Sequence, residues 1–161
     1  AYAKVGDTKI NDNFNAFLEK QIVLDELDLI YPASRTVLRT VFIKLHNLTV
    51  LTLLVNHLPT ICEFYENLQP LTKLKTLKIE GEFPSEAAAT GILKICPNIE
   101  DFSAESDLFV PSLLPFMASN NQNITKLSIS RVNQIFNSQA SFKHLKYFEV
   151  DWLVIHAGWW H

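Results

Sequence analysis

The feature that most constrains this chain is an apolar triplet, spaced Φ-x-x-Φ-x-Φ, that recurs six times. Its copies are Leu24-Leu27-Leu29, Leu48-Leu51-Leu53, Leu74-Leu77-Ile79, Ile99-Phe102-Ala104, Ile124-Leu127-Ile129 and Leu145-Phe148-Val150. Their first residues lie 24, 26, 25, 25 and 21 positions apart. Within each copy the last two apolar residues alternate with their neighbours, the period of a strand with one face in a core. In Lys75-Thr76-Leu77-Lys78-Ile79-Glu80, Leu77 and Ile79 point inward while Thr76, Lys78 and Glu80 point outward. A unit this short cannot bury its apolar side alone, so the period predicts a stack of similar units sharing one core.

Between the triplets lie segments with helical marks. Asn13 to Gln21 holds Phe14, Phe17 and Leu18 at helical spacing. Pro32-Ala33-Ser34 opens a helix carrying Val37, Leu38, Val41, Phe42 and Leu45. A third helix is expected over Leu58 to Leu68, with Ile61, Cys62, Phe64 and Tyr65. Pro84-Ser85-Glu86 begins one with Ala88, Ala89, Ile92, Leu93 and Cys96, and Pro97 stops it. Pro111 begins another with Leu113, Leu114, Phe116 and Met117. Prolines at helix starts fit their fixed φ and missing donor. The connection from Arg131 to Phe142 is more polar and is read as a short helix or irregular turn.

These elements predict an α/β solenoid of about six strand-helix repeats. Parallel strands stack at ~4.8 Å while helices are ~10 Å across. The stack must therefore curve, with the sheet on the concave side and helices on the convex side. Ala1 to Ile10 is read as a short strand or partial repeat. Residues 1–161 are read as one domain. The apolar tail from Val154 to His161 suits either a fold-back over the last repeat or a cut from a longer protein, and the fragment reading is preferred.

Gly91-Ile92-Leu93-Lys94-Ile95-Cys96-Pro97-Asn98-Ile99-Glu100-Asp101-Phe102 resembles the L-x-x-x-C-P-x-L-x-x-L segment of leucine-rich repeats in F-box proteins. Phe17-Leu18-Glu19-Lys20-Gln21 with Leu24 to Leu29, and Leu71-Thr72-Lys73-Leu74-Lys75-Thr76-Leu77, resemble further repeats of that family. The resemblance spans roughly Phe14 to Val150 and implies a leucine-rich-repeat solenoid. It also implies a substrate-recognition domain of a ubiquitin ligase adaptor, which would meet the ligase scaffold through an F-box. Nothing in the chain matches the F-box itself.

In the pattern Φ1-x-x-Φ4-x-Φ6-x-x, positions 3, 5, 7 and 8 are expected on the concave face. They contribute seven acids, Glu26, Asp28, Glu80, Asp101, Glu105, Glu149 and Asp151. Against these stand the bases Lys78, Lys126 and Arg131, leaving this face at −4 while the whole chain is −3. Such a face favours a protein partner with a basic segment. Val50, Thr52, Leu54 and Val55 form an apolar strip beside Ile30 and Tyr31. Exposed apolar patches mark contacts, although a covering segment is the duller explanation. Ser103 completes the predicted contact set, with Tyr147 and Trp152 as candidate aromatic anchors.

Other chemistry is not suggested. There are 14 Lys and Arg against 17 Asp and Glu, so bulk charge gives no reason to expect nucleic acid. No apolar run approaches the ~18–20 residues of a membrane span. With only four glycines, no phosphate loop is apparent, and no catalytic triad or metal-ligand spacing is found. His46 and His57 flank the second strand, but two imidazoles fall short of a structural zinc site. Asp25, Glu26 and Asp28 lack the calcium-loop pattern. The chain is therefore read as a binding protein without cofactor rather than an enzyme.

Cys62 and Cys96 are read as reduced core thiols, which fits the cytoplasm or nucleus. Asn47-Leu48-Thr49 and Asn123-Ile124-Thr125 match the glycosylation pattern. They keep open an extracellular leucine-rich-repeat module as an alternative, beside a non-catalytic scaffold subunit.

Overall fold

The last two apolar residues of all six triplets lie in strands, and the chain lays these side by side in sequence order. The structure, a computed structural model, describes residues 2–5, 16–17, 20, 23–30, 35–56, 58–60, 62–105, 113–132 and 140–153. Of Tyr2–Val5, Cys62, Arg131, Val132 and Asp151–Leu153 it describes the backbone alone. Strands β1 (Tyr2–Val5), β2 (Glu26–Leu29), β3 (Val50–Leu54), β4 (Thr76–Glu80), β5 (Asp101–Glu105), β6 (Lys126–Val132) and β7 (Tyr147–Leu153) make one sheet. Every neighbouring pair is parallel, the order is β1 to β7, and the sheet does not close. The architecture is therefore α/β, with β1 placing a seventh strand outside the first triplet.

Register follows the triplets. Leu27, Leu51, Leu77, Phe102, Leu127 and Phe148 form one lateral row. Leu29, Leu53, Ile79, Ala104, Ile129 and Val150 form the next. From β2 to β6 both rows are buried. A recurring backbone junction sets this register. The carbonyl of Thr49 accepts from Lys75 N at 2.9 Å and Thr76 N at 3.0 Å. The carbonyls of Asp25, Lys75, Glu100 and Thr125 each accept the equivalent two N–H groups of the following strand. Each strand start is thereby fixed to the one before it.

Helices α1 (Arg35–Lys44), α2 (Cys62–Glu66), α3 (Glu86–Ile95) and α4 (Leu113–Asn120) lie between strands. Their apolar residues, among them Val37, Phe42, Tyr65, Ile92 and Met117, join the inward sheet rows in one core. The helices thus cover one sheet face. Helix α3 shows why such segments form. The Ser85 hydroxyl caps it by accepting from Ala88 N at 3.1 Å, Glu86 and Lys94 suit the two ends of the helix dipole, and Cys96 closes it ahead of Pro97.

Helix α2 is shorter than the expected Leu58 to Leu68. Leu58 is buried but turns back on Val55, and Pro59 has no N–H for a helical ladder. The Tyr65 hydroxyl donates to the Pro59 carbonyl at 2.7 Å and holds the segment in that path. Gly91 of α3 lies against the Tyr65 ring, where any Cβ would collide.

Asn121 occupies the position held by Leu45, Leu71 and Cys96 in earlier units, three residues before each triplet. Its amide donates to the carbonyls of Leu93 at 3.2 Å and Cys96 at 2.9 Å, tying off the end of α3.

Phe148 departs from its row. It was expected inward, yet it is 53% exposed, because β7 is a sheet edge and no described element packs over it. The expectations for the 13–21 helix, apart from residues 16, 17 and 20, lie outside the described residues. So do those for Pro32-Ala33-Ser34, Pro111 and the 154–161 tail, and for residues 133–139 of the connection expected from Arg131 to Phe142, whose first two residues instead extend β6.

Candidate functional site

The sheet face opposite the helices is not covered by any described element. Strand alternation and parallel register order its side chains into three lateral rows. The first contains Glu26, Val50, Thr76, Asp101, Lys126 and Tyr147. The second contains Asp28, Thr52, Lys78, Ser103, Ser128 and Glu149. The third contains Leu54, Glu80, Glu105, Ser130 and Asp151. All thirteen residues expected to contact a partner lie at positions of these rows, as far as the backbone places Asp151.

Their exposure differs. Glu26, Lys78, Glu105, Lys126 and Tyr147 are exposed. Asp28, Leu54, Glu80, Asp101, Ser103 and Glu149 are half-buried. Thr52 is only 6% exposed, so it forms a floor between Asp28 and Lys78 rather than a prominent contact.

Position 8 of the pattern requires correction. Val55 is fully buried and belongs to the core, so it leaves the proposed apolar strip. Strand alternation continues through it, with Val55 N donating to the Glu80 carbonyl at 2.9 Å. Positions 7 and 8 consequently face opposite sides. At Gly81, the same position one unit later, the chain turns with φ +81, and Asn56 Oδ1 accepts from Glu82 N at 2.9 Å. Tyr31, Ser106 and the side chains of Arg131 and Trp152 lie outside the described residues.

Charges on the face divide into two groups. Toward β7 they engage one another. Lys126 Nζ lies 3.4 Å from Asp101 Oδ2 and 5.7 Å from the centre of the Tyr147 ring, while Ser128 Oγ donates to Glu149 Oε2 at 3.2 Å. At the centre, Glu80 and Glu105 are lateral neighbours of like charge, and neither has an ion pair among the described residues. Like charges directly opposite one another are unfavourable in a sheet. An incoming cation would relieve that repulsion.

The sequence-based face omitted β1, which has no leucine triplet. Its backbone register places Lys4 opposite Asp28 and Tyr2 opposite Glu26, extending the first two rows by one strand. The alternation in Tyr2-Ala3-Lys4-Val5 was the available signal.

Of the remaining chemical candidates the structure describes Cys96 and the two glycosylation-pattern sites. Burial pushes the Cys96 thiol well above its ordinary range, so it is a protonated core group. The Cys62 side chain lies outside the described residues, as does His57. Among the described residues no three His, Cys, Asp or Glu groups could hold a metal ion, and no helix is long and apolar enough to cross a membrane. Both glycosylation-pattern threonines bind backbone, Thr49 Oγ1 to the Asp25 carbonyl at 3.1 Å and Thr125 Oγ1 to the Glu100 carbonyl at 3.2 Å. Asn47 Oδ1 accepts from Lys73 Nζ at 2.7 Å, and Asn123 is exposed. Strand-junction hydrogen bonding therefore accounts for both threonines.

No protein-family model matches the chain, and neither the characterised proteins nor the solved structures compared with it show a significant match.

Proposed function

We propose that the chain is a leucine-rich-repeat-type solenoid whose open sheet face binds a basic segment of a protein partner. In this reading the sheet is the concave side, the helices are the convex side, and no reaction is catalysed. The observation that carries it is the face left uncovered by the described residues, where Glu80 and Glu105 stand side by side with no cation paired to either among those residues. A partner Lys or Arg placed between them gains charge-assisted hydrogen bonds. The same charges steer its approach. The row residues lie on regular strands, which hold a contact surface more rigidly than loops do. The repeat resemblance to F-box proteins further suggests recruitment of a ligase substrate inside the cell.

The test uses a binder selected from a peptide library on the purified chain. Combining Glu80→Lys, Asp101→Lys and Glu105→Lys is expected to weaken that binder by about tenfold or more at physiological salt. Thermal unfolding should change little, because none of the three side chains belongs to the core. Unchanged affinity in the folded triple variant would remove the open face as the binding surface.

A further inference from the structure

On the helix side of the sheet, a cleft of about 640 Å³ opens between α1 and α2. Arg35, Thr36 and Arg39 line it from α1, and Glu63, Phe64 and Asn67 line it from the other side. Arg35 and Arg39 are exposed and stand one helical turn apart, where like charges repel. Helix α1 has no acid in its first turn, so Arg35 also faces the positive end of the helix dipole. Glu63 lines the same cleft, yet neither arginine has an ion pair or hydrogen bond among the described residues. Asn67 donates to the Glu63 carbonyl at 2.8 Å, which fixes the far wall to α2. Two cations without a partner among the described residues thus line one concave site in a chain of net charge −3.

An arrangement that is unfavourable by itself becomes favourable when an anion enters. Guanidinium groups bind oxyanions through paired N–H donors, and two of them match a doubly charged group better than a single carboxylate. A phosphorylated side chain carries roughly −1.5 to −2 charge and three acceptor oxygens. The cleft is also larger than one phosphate needs. It continues over the half-buried Phe64 ring to Leu68, an apolar seat for a neighbouring residue, while Glu63 offers an acceptor for a ligand N–H.

We propose that this cleft binds a phosphorylated peptide segment, with the phosphate across Arg35 and Arg39 and a flanking apolar residue over Phe64. The site is separate from the open sheet face. The experiment is a peptide array presenting phosphoserine and phosphothreonine in varied flanking sequences, each beside its unphosphorylated twin. The purified chain is expected to prefer phosphorylated members. The strongest, remade in solution, should lose about tenfold or more affinity with Arg35→Gln and with Arg39→Gln. Circular dichroism should show both variants folded, since both side chains are exposed. The open-face triple variant should retain phosphopeptide affinity, so that failure of either site is read independently. Equal binding of phosphorylated and unphosphorylated twins, or full affinity in both arginine variants, would overturn the proposal. Saturation by inorganic phosphate or phosphoinositide vesicles with no response to any phosphopeptide would overturn it as well.

Discussion

Leu77→Ala tests the stack at its centre. Leu77 is fully buried in β4, flanked in its row by Leu51 and Phe102, which are equally buried. Truncation removes three side-chain carbons at about 0.8 kcal/mol each, or about 2.4 kcal/mol of burial. The cavity adds to this, because neighbours on both sides are held by strand register and cannot close in. The expected loss is ~2–5 kcal/mol. Phe148 supplies the internal control, because it holds the same row position on β7 but is 53% exposed. Although larger, its ring has given up only part of its hydration, so Phe148→Ala should cost less than Leu77→Ala. Urea unfolding followed by circular dichroism measures both, with the denaturant slope confirming comparable transitions. A loss under about 0.5 kcal/mol at Leu77 would refute its inward packing. A larger loss at Phe148 than at Leu77 would refute the burial gradient along the row.

Two further outcomes follow from single groups. Burial raises the Cys96 thiol above its ordinary value of 9.0, so the folded chain retains a proton that the unfolded chain releases. Its contribution is complete below that value and falls by up to about 1.4 kcal/mol per pH unit above it. The stability difference between wild type and Cys96→Ala should narrow accordingly between pH 8 and pH 10, and iodoacetamide should modify Cys96 only on unfolding. Gly81→Ala should cost about 1–3 kcal/mol, measured by thermal unfolding, because φ is +81 there and a Cβ would run into the Asn56 side chain.

The inward rows were legible in the sequence because a parallel sheet with constant offsets turns a linear period into lateral neighbours. Leu51, Leu77 and Phe102 could be placed together from spacing alone. Helices with a strong apolar face and clear stops, such as α3 with Ser85 and Pro97, were legible for similar reasons. The extent of helix α2 was not, since Leu58 and Leu68 are buried outside it by backbone turns onto Val55 and Tyr65. Position 8 failed because positions 7 and 8 were both assigned to the concave face, whereas alternation turns Leu54 and Val55 to opposite sides. Strand β1 pairs through its backbone with β2 and needs no triplet of its own. Row positions on the face were legible, but their energetic sorting was not. That Lys126 engages Asp101 while Glu80 and Glu105 have no ion pair among the described residues depends on side-chain direction, to which spacing is blind.

Net charge conceals this separation. The open face presents Glu26, Asp28, Glu80, Asp101, Glu105 and Glu149 against Lys78 and Lys126, while Arg35 and Arg39 lie on the helix side. Between them runs an apolar core that includes Leu51, Leu53, Val41 and Phe42. Helix and sheet layers pack about 10 Å apart. Each group is solvated on its own face, where counter-ions screen it with a length of about 8 Å at physiological ionic strength. Across such a distance the arginines do little to neutralise the acids on the other face. Under the two proposals made above, each surface would take its own ligand, and two partners of opposite charge would not compete for one sheet.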